Sequence, residues 1–173
     1  MIIGICGRQG SGKDTTADMI NRLTNNRFSK RRFSEPLKEC AGIILGVPAS
    51  LFEDRKFKES YIHKFDMTVR EFLQRFGTEG VRQGVHPNVW VEALFNNYTG
   101  QDWIVPDVRF VNEADSIKSR GGILIKTIRR TKADSHLSEV ELDVILPDYE
   151  IDNTGSFFDL EFNVKKVLND LGI

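Results

Sequence analysis

Residues 1–16 read MIIGICGRQGSGKDTT, and the fold is decided here. Met1 to Cys6 is an apolar run of strand length that stops at Gly7. Gly10 and Gly12 follow, and then Ala17, Ile20 and Leu23 recur at helical spacing. The order is strand, glycine loop, helix. Inside it, Gly7-Arg8-Gln9-Gly10-Ser11-Gly12-Lys13 satisfies the phosphate-binding pattern G-x-x-x-x-G-K in the context that gives the pattern its meaning. Glycines are needed because consecutive backbone N–H groups must turn inward toward phosphate oxygens, where a Cβ would obstruct the approach. Lys13 adds a point charge for the outer phosphates, and the helix that begins there presents the positive end of its dipole. Gly10, Ser11, Gly12, Lys13, Asp14, Thr15 and Thr16 are therefore the candidate nucleotide-binding residues. The dinucleotide fingerprint G-x-G-x-x-G fits less well, because glycines at 7, 10 and 12 have the wrong spacing.

Asp14 stands where the general pattern places a Ser or Thr hydroxyl on magnesium, and Thr15 comes one residue later. The string G-x-x-G-x-G-K-x-T resembles the loop of nucleoside monophosphate kinases of the adenylate kinase type. Two readings of Asp14 stay open: metal binding, directly or through water, and a carboxylate that caps or solvates the helix start.

Working outward, an alternating segment from Phe28 to Phe33 predicts a second strand. Ser34, with Pro36 in the first turn, predicts a capped helix to about Leu45. Gly46 to Asp66 mixes aromatics with charges and reads as an irregular or helical surface excursion. Thr68 and Glu71 have capping-box spacing, and Val69, Phe72, Leu73 and Phe76 form an apolar stripe behind them. Pro87 opens a further helix with Val91, Leu94, Phe95 and Tyr98 on one face. Trp103 to Pro106 is a compact strand, followed by a short helix to about Arg120 and a strand from Ile123 to Ile128. Residues 129–143 lack a core pattern and read as a flap. Tyr149 to Asp152 is a last strand, and Ser156 with Asp159 caps a last helix. Strands alternating with helices predict an α/β protein with a parallel sheet covered on both faces.

The 173 residues amount to roughly 1.15 typical domains. Lys and Arg (24) nearly balance Asp and Glu (25), which argues against a dedicated nucleic-acid binder. No apolar run has membrane-spanning length and no signal peptide opens the chain, so a soluble, cytoplasmic protein is expected. Cys6 and Cys40 form neither a disulfide framework nor a metal-ligand spacing, and both read as buried thiols.

Beyond the loop, Asp107 falls at the carboxyl end of its strand, where open α/β sheets bind ligands, and can hold a metal shell or a substrate hydroxyl; the other reading is a loop carboxylate in a surface ion pair with Arg109. Arg109 lies two residues on. Arg70, Gln74 and Thr78, at i, i+4 and i+8, make a polar stripe that reads equally as a solvated helix face and as a site, with a guanidinium suited to phosphate and an amide suited to a base edge. Ser34, Lys38 and Trp90 are weaker single candidates, and a Trp such as Trp90 is more often core than a stacking platform. Arg129 and Arg130 read equally as cations that neutralise a transferring phosphoryl group and as a solvated basic turn, and His136 in the flap reads by itself as a loop histidine.

Several pieces together resemble one family, the deoxynucleoside monophosphate kinases of bacteriophages and some bacteria. They are GRQGSGKDTTAD, FSEPLKE, TVREFLQRFGTE, NVWV, IVPDVRFVNEAD, HLSE and YEIDNTGSFFDL, spread over most of the chain. The resemblance implies one domain, 1–173, with a three-layer P-loop kinase fold. That fold has a central five-stranded parallel sheet, a helical monophosphate-binding excursion over 34–100 and a small lid over 129–143. It implies transfer of the γ-phosphoryl of ATP, with Mg2+, to a deoxynucleoside 5′-monophosphate. By the same resemblance Ser34, Lys38, Arg70, Gln74, Thr78 and Trp90 line the monophosphate site. Lys13, Asp107, Arg109, Arg129 and Arg130 are catalytic, Asn153 and Gly155 lie on the adenine side, and Asp14, Thr15 and Asp107 are the metal candidates. The implied partners are small-molecule nucleotides, with no nucleic acid or membrane. A homodimer stays open, and host cytoplasm is the setting if the chain is viral. Two other readings remain at this point: dephospho-CoA kinase, whose hydroxyl acceptor would favour a carboxylate base, and a nucleotide-dependent switch.

Overall fold

The computed structural model describes residues 1–129 and 141–173. Its elements are, in order, β1 (Ile2–Cys6), α1 (Lys13–Leu23), β2 (Ser29–Lys30), α2 (Ser34–Leu45), α3 (Arg55–Glu59), β3 (Tyr61–Ile62), β4 (Met67–Thr68), α4 (Val69–Gln74), α5 (Val89–Phe95), β5 (Trp103–Val108), α6 (Val111–Lys118), β6 (Ile123–Ile128), β7 (Tyr149–Asp152) and α7 (Phe157–Asp170). The chain divides into two compact units, Met1–Arg32 with Tyr98–Ile173, and Phe33–Asn97.

The first unit is built on a five-stranded sheet in the order β2-β5-β1-β6-β7. Every neighbouring pair in it is parallel. The central strand β1 is buried along its whole length, so its residues run apolar without alternation. Ile3, Ile5, Ile104, Ile125 and Ile151 pack with Ala17 and Ile20 of α1 and Leu160 and Val164 of α7 in one core. On the opposite face Gly4 leaves room for α6, since a Cβ there would stand 2.6 Å from Ile117 Cδ1. Helices thus cover both faces, the three-layer α/β arrangement expected from the alternation of elements.

Two strands differ from their predicted bounds. β5 continues past Pro106 to Val108, because its register against β1 slips: Gly4 pairs with Val105 but Cys6 with Val108. Pro106 has no N–H to give the ladder and sits inside this slip, where a bulge can re-aim the residue that follows, Asp107. The alternating segment Phe28–Phe33 forms a ladder strand only at Ser29–Lys30. Arg31 adds one more ladder bond, N–H to Ile104 O at 2.9 Å, and its guanidinium lies over the Trp103 ring.

In the second unit Ala41, Phe52 and Val69 form a small core with Phe57, Ile62, Phe72 and Leu73 around it. Phe33, not Ser34, holds the cap position of α2, and Ser34 is the first helical residue. Gly46 closes α2 in the left-handed conformation with φ 69°. The excursion that follows contains a 3₁₀ turn at Ala49–Glu53, then α3, whose start is capped by Asp54 accepting from the Lys56 and Phe57 N–H groups. β3 and β4 pair as a two-stranded antiparallel ribbon. The predicted capping box at Thr68 and Glu71 is present and opens α4. After Gln74 the helix widens into a π-helical stretch over Arg75–Gln83. α5 begins at Val89, two residues beyond Pro87, and ends at Phe95, so Tyr98 lies outside it and packs edge-on against Trp103.

Cys6 is buried as expected, but Cys40 is exposed. On α2 it is Ala41 that turns into the core, and a neighbour one position away on a helix points roughly 100° elsewhere.

Candidate active site

Because all five strands of the sheet are parallel, the carboxyl ends of β1, β5, β6 and β7 lie along one edge. The phosphate loop leaves from the middle strand of that edge. Gly7, Gly10 and Gly12 all have positive φ, at 144°, 77° and 95°. Two of them are also required by close approach. A Cβ on Gly7 would stand 2.5 Å from Thr127 O, and one on Gly12 only 2.2 Å from Asn153 Nδ2. The loop is closed by Ser11 N–H donating to Arg8 O at 3.1 Å, and the first bond of α1 runs from Thr16 N–H to Gly12 O at 2.8 Å. The N–H groups just ahead of that bond have no intrahelical acceptor, which is the condition for binding an anion at a helix start. Lys13 folds across the loop, its Nζ donating to Gly7 O at 2.6 Å and Arg8 O at 2.9 Å. Ser11 is 1% exposed, and its Oγ is a buried polar atom without a hydrogen-bond partner.

The flanking groups follow from the strand ends. Asp107 is the penultimate residue of β5 and half-buried. Arg109 follows it, with its N–H donating to Glu113 Oε2 at 2.8 Å, so the buried Glu113 carboxylate fixes the turn into α6. Arg129 is exposed directly after β6. Asn153 follows β7, and its Nδ2 donates to Ser11 O at 2.8 Å. Gly155 lies two residues on, packed close to the Asp159 carboxylate. Thr154 and Ser156 hold the carboxyls of Asp152 and Asp159 below their ordinary range by hydrogen bonding to them. Thr16 is fully buried, and the Thr127 hydroxyl meets its Oγ1 at 3.5 Å. Thr15 is exposed at the start of α1. Asp14 pairs with the Arg32 guanidinium, and Lys30 Nζ lies 3.9 Å from the same carboxylate oxygen. Burial pushes the Cys6 thiol up against the lowering pull of Lys126 and Lys13, which keeps it protonated. Among the described residues no group of three or more His, Cys, Asp and Glu is arranged to hold a metal ion by itself.

Within the second unit the polar stripe is engaged by neighbours. The Arg70 Nε and Nη2 both donate to Glu59 Oε1, at 3.0 and 2.7 Å. Lys38, 9% exposed, donates to Glu53 Oε1 at 2.6 Å. Gln74 is half-buried at the end of α4, and Thr78 is buried one turn on in the π-helical stretch. Trp90 is core: its Nε1 donates to Gly77 O at 2.9 Å and its ring meets Phe76 edge-on.

The candidates Gly10 to Thr16, Asp107, Arg109, Arg129, Asn153 and Gly155 therefore share the first unit, and Ser34, Lys38, Arg70, Gln74, Thr78 and Trp90 share the second. Arg130 and His136, and most of the proposed lid, lie outside the described residues. Two residues that the sequence reading passes over are Thr127, which backs Gly7 and Thr16, and Arg82. The latter is 8% exposed with its Nη1 donating to Pro87 O at 3.0 Å. The signal for Arg82 was at hand, since 70, 74, 78 and 82 continue one spacing of four.

A parallel sheet whose central strand runs through G-x-x-x-x-G-K into a helix defines a P-loop nucleotide-binding protein. Crystal structures of shikimate kinases share this fold. That from Aquifex aeolicus has a TM-score of 0.57 at 15% identity, over 99% of this chain and 96% of the other. That from Bacteroides thetaiotaomicron has 0.56 at 13%, over 100% and 99%. The chain belongs to the deoxynucleotide monophosphate kinase family, whose model matches residues 49–164. A mimivirus protein from Acanthamoeba polyphaga mimivirus, named for the same activity, is 36% identical over 161 residues, 82% of each chain. The deoxynucleoside-5′-monophosphate kinase of Escherichia phage T5 is 25% identical over 68% of this chain and 72% of its own. Among the described residues no helix is long and apolar enough to cross a membrane.

Proposed function

We propose that this protein transfers the γ-phosphoryl group of ATP to a deoxynucleoside 5′-monophosphate, giving the diphosphate and ADP. The observation that carries the reading is the glycine loop at the centre of the sheet edge, with its helix N-terminus and its folded-back Lys13. Family membership supports the choice of acceptor over dephospho-CoA and over a signalling switch.

The acceptor is itself a phosphate with a second pKa of about 6, so near neutrality it already presents a nucleophilic oxygen and needs no catalytic base. What the protein must supply is alignment of two anionic nucleotides and relief of their repulsion. Lys13 exchanges its two carbonyl acceptors for phosphate oxygens, and Arg109, Arg129 and Arg130 add charge near the transferring group. Arg70 exchanges Glu59 for the monophosphate, with Lys38, Ser34, Gln74 and Thr78 around it and Trp90 as the wall that shapes this region. Asn153 and Gly155 mark the adenine side. His136 belongs to the lid over 129–143, which excludes water as an acceptor.

Magnesium bound with ATP would offset part of the negative charge of the phosphate groups. Such an ion keeps several waters and takes only one or two protein ligands, so the lack of a carboxylate cage among the described residues is no obstacle. The Thr15 hydroxyl and the Asp107 carboxylate suit it, and Asp14 can join only by releasing Arg32. The setting is a cytoplasm, where the nucleotides are found, and the partners are those small molecules.

The test is to incubate the protein with magnesium and ATP against a panel of deoxy- and ribonucleoside monophosphates, dephospho-CoA and buffer alone. Deoxynucleoside diphosphates are the expected products, lost in Lys13→Ala. Phosphorylation of dephospho-CoA alone, or ADP formed equally without acceptor, contradicts the reading.

A further inference from the structure

The Gly12 peptide has more freedom than phosphate binding tolerates. In a planar trans peptide the carbonyl of one residue and the N–H of the next point in opposite directions, so Ser11 C=O and Gly12 N–H are set together. Glycine populates both signs of φ with little penalty, so nothing in residue 12 itself stops that peptide from turning over and withdrawing its N–H from the loop's concave side. The restraint comes from elsewhere. Asn153 is 9% exposed, its own N–H continues the sheet ladder by donating to Ile128 O at 2.8 Å, and its side-chain Nδ2 donates to Ser11 O at 2.8 Å. The same nitrogen occupies the space a Cβ on residue 12 would need.

We infer that Asn153 is a positioning residue for phosphate binding: by pinning Ser11 C=O from behind, it aims the Gly12 N–H at the triphosphate. The sheet edge holds Asn153, Asn153 holds the Ser11 carbonyl, and that carbonyl fixes the amide in front of it. Glycine at 12 then serves two needs, the positive φ and admission of the Asn153 amide. The inference rests on the proposed function only in taking a polyphosphate as the ligand, and it separates Asn153 from a role confined to the adenine base.

The experiment is calorimetric titration of the full chain with inorganic tripolyphosphate and, separately, with adenosine. It compares wild type with Asn153→Leu, which keeps bulk without a donor, and Asn153→Ala. Should one variant fail to fold, the other carries the comparison. Tripolyphosphate affinity is expected to fall about tenfold in either variant, with a clearly smaller loss for adenosine. In ¹H–¹⁵N spectra the Gly12 amide shifts on adding tripolyphosphate to wild type and loses most of that shift in the variants. KM for ATP rises while KM for the monophosphate holds. Unchanged tripolyphosphate binding overturns the inference, as does equal weakening of both ligands. The titration needs no turnover, so a wild type that binds tripolyphosphate but phosphorylates no monophosphate refutes the proposed reaction and leaves the Asn153 result standing. A wild type that binds no tripolyphosphate refutes both.

Discussion

In the loop from Gly7 to Lys13 the groups offered to a ligand are peptide N–H groups and one ammonium, set by a central strand behind them and a helix ahead. In Phe33–Asn97 the groups proposed for a ligand are side chains, and Arg70 and Lys38 are held by carboxylates of the same unit, Glu59 and Glu53. A backbone site is fixed once the strand, the glycines and the helix are fixed. A side-chain site is fixed only when each long side chain has chosen between an internal partner and a ligand. On the proposed function, the first region is a backbone cradle and the second a pair of ion pairs that a substrate would have to open.

The comparison is broken most forcefully at the cradle. Lys13→Ala and Gly12→Ala should each lower turnover by about 100-fold or more, the first by removing charge and the second by displacing the loop, with melting temperature little changed in Lys13→Ala. Steady-state kinetics alongside a thermal melt checks both. If the two variants were only a few fold slower, the backbone would not be the main binding element.

In the exchangeable region Arg70→Ala should raise KM for the monophosphate by about tenfold or more and leave KM for ATP near wild type. Glu59→Gln sharpens the same point from the other side. By freeing Arg70 from a half-exposed pair it should lower that KM by about two- to fivefold, and a rise instead would mean that Glu59 orients Arg70 for the substrate.

A smaller effect separates the helix caps from the ion pairs. Glu71 in one unit and Asp159 in the other are held below their ordinary carboxylate range, chiefly by hydrogen bonds from Thr68 and Ser156. A depressed folded-state pKa stabilises above the unfolded value and is lost as pH falls through the folded one. Melting temperature should therefore drop on the acid side, and Thr68→Ala should flatten part of that drop while costing about 1 kcal/mol at neutral pH. Smallest of all, iodoacetamide should label Cys40 and spare Cys6, which is buried and kept protonated, as peptide mapping would report.

The same contrast explains what could be read from the sequence. Gly7, Gly10, Gly12 and Lys13 were legible because strand, turn and helix each leave a local mark, and so were the parallel sheet and the capping box at Thr68 and Glu71. The extension of β5 through Asp107 was not, since it depends on a register slip against β1 that no single segment encodes. Nor was the pairing of Arg70 with Glu59, eleven residues apart across a turn, or the Nε1 bond that makes Trp90 part of the core. Asn153 could be placed after the last strand, but its hold on Ser11 joins positions 142 residues apart. The apolar pattern of α2 does not separate Cys40 from Ala41, so the exposure of Cys40 follows only from packing. Local periodicity reports elements and their caps, whereas partners across elements follow from packing.

The most direct test follows the phosphoryl group itself. With ATP labelled at the γ position and a deoxynucleoside monophosphate supplied, the label is predicted to appear at the β position of the diphosphate, and to stay in ATP when Lys13 is replaced by alanine. Label released as inorganic phosphate at the same rate with and without the monophosphate would contradict the account.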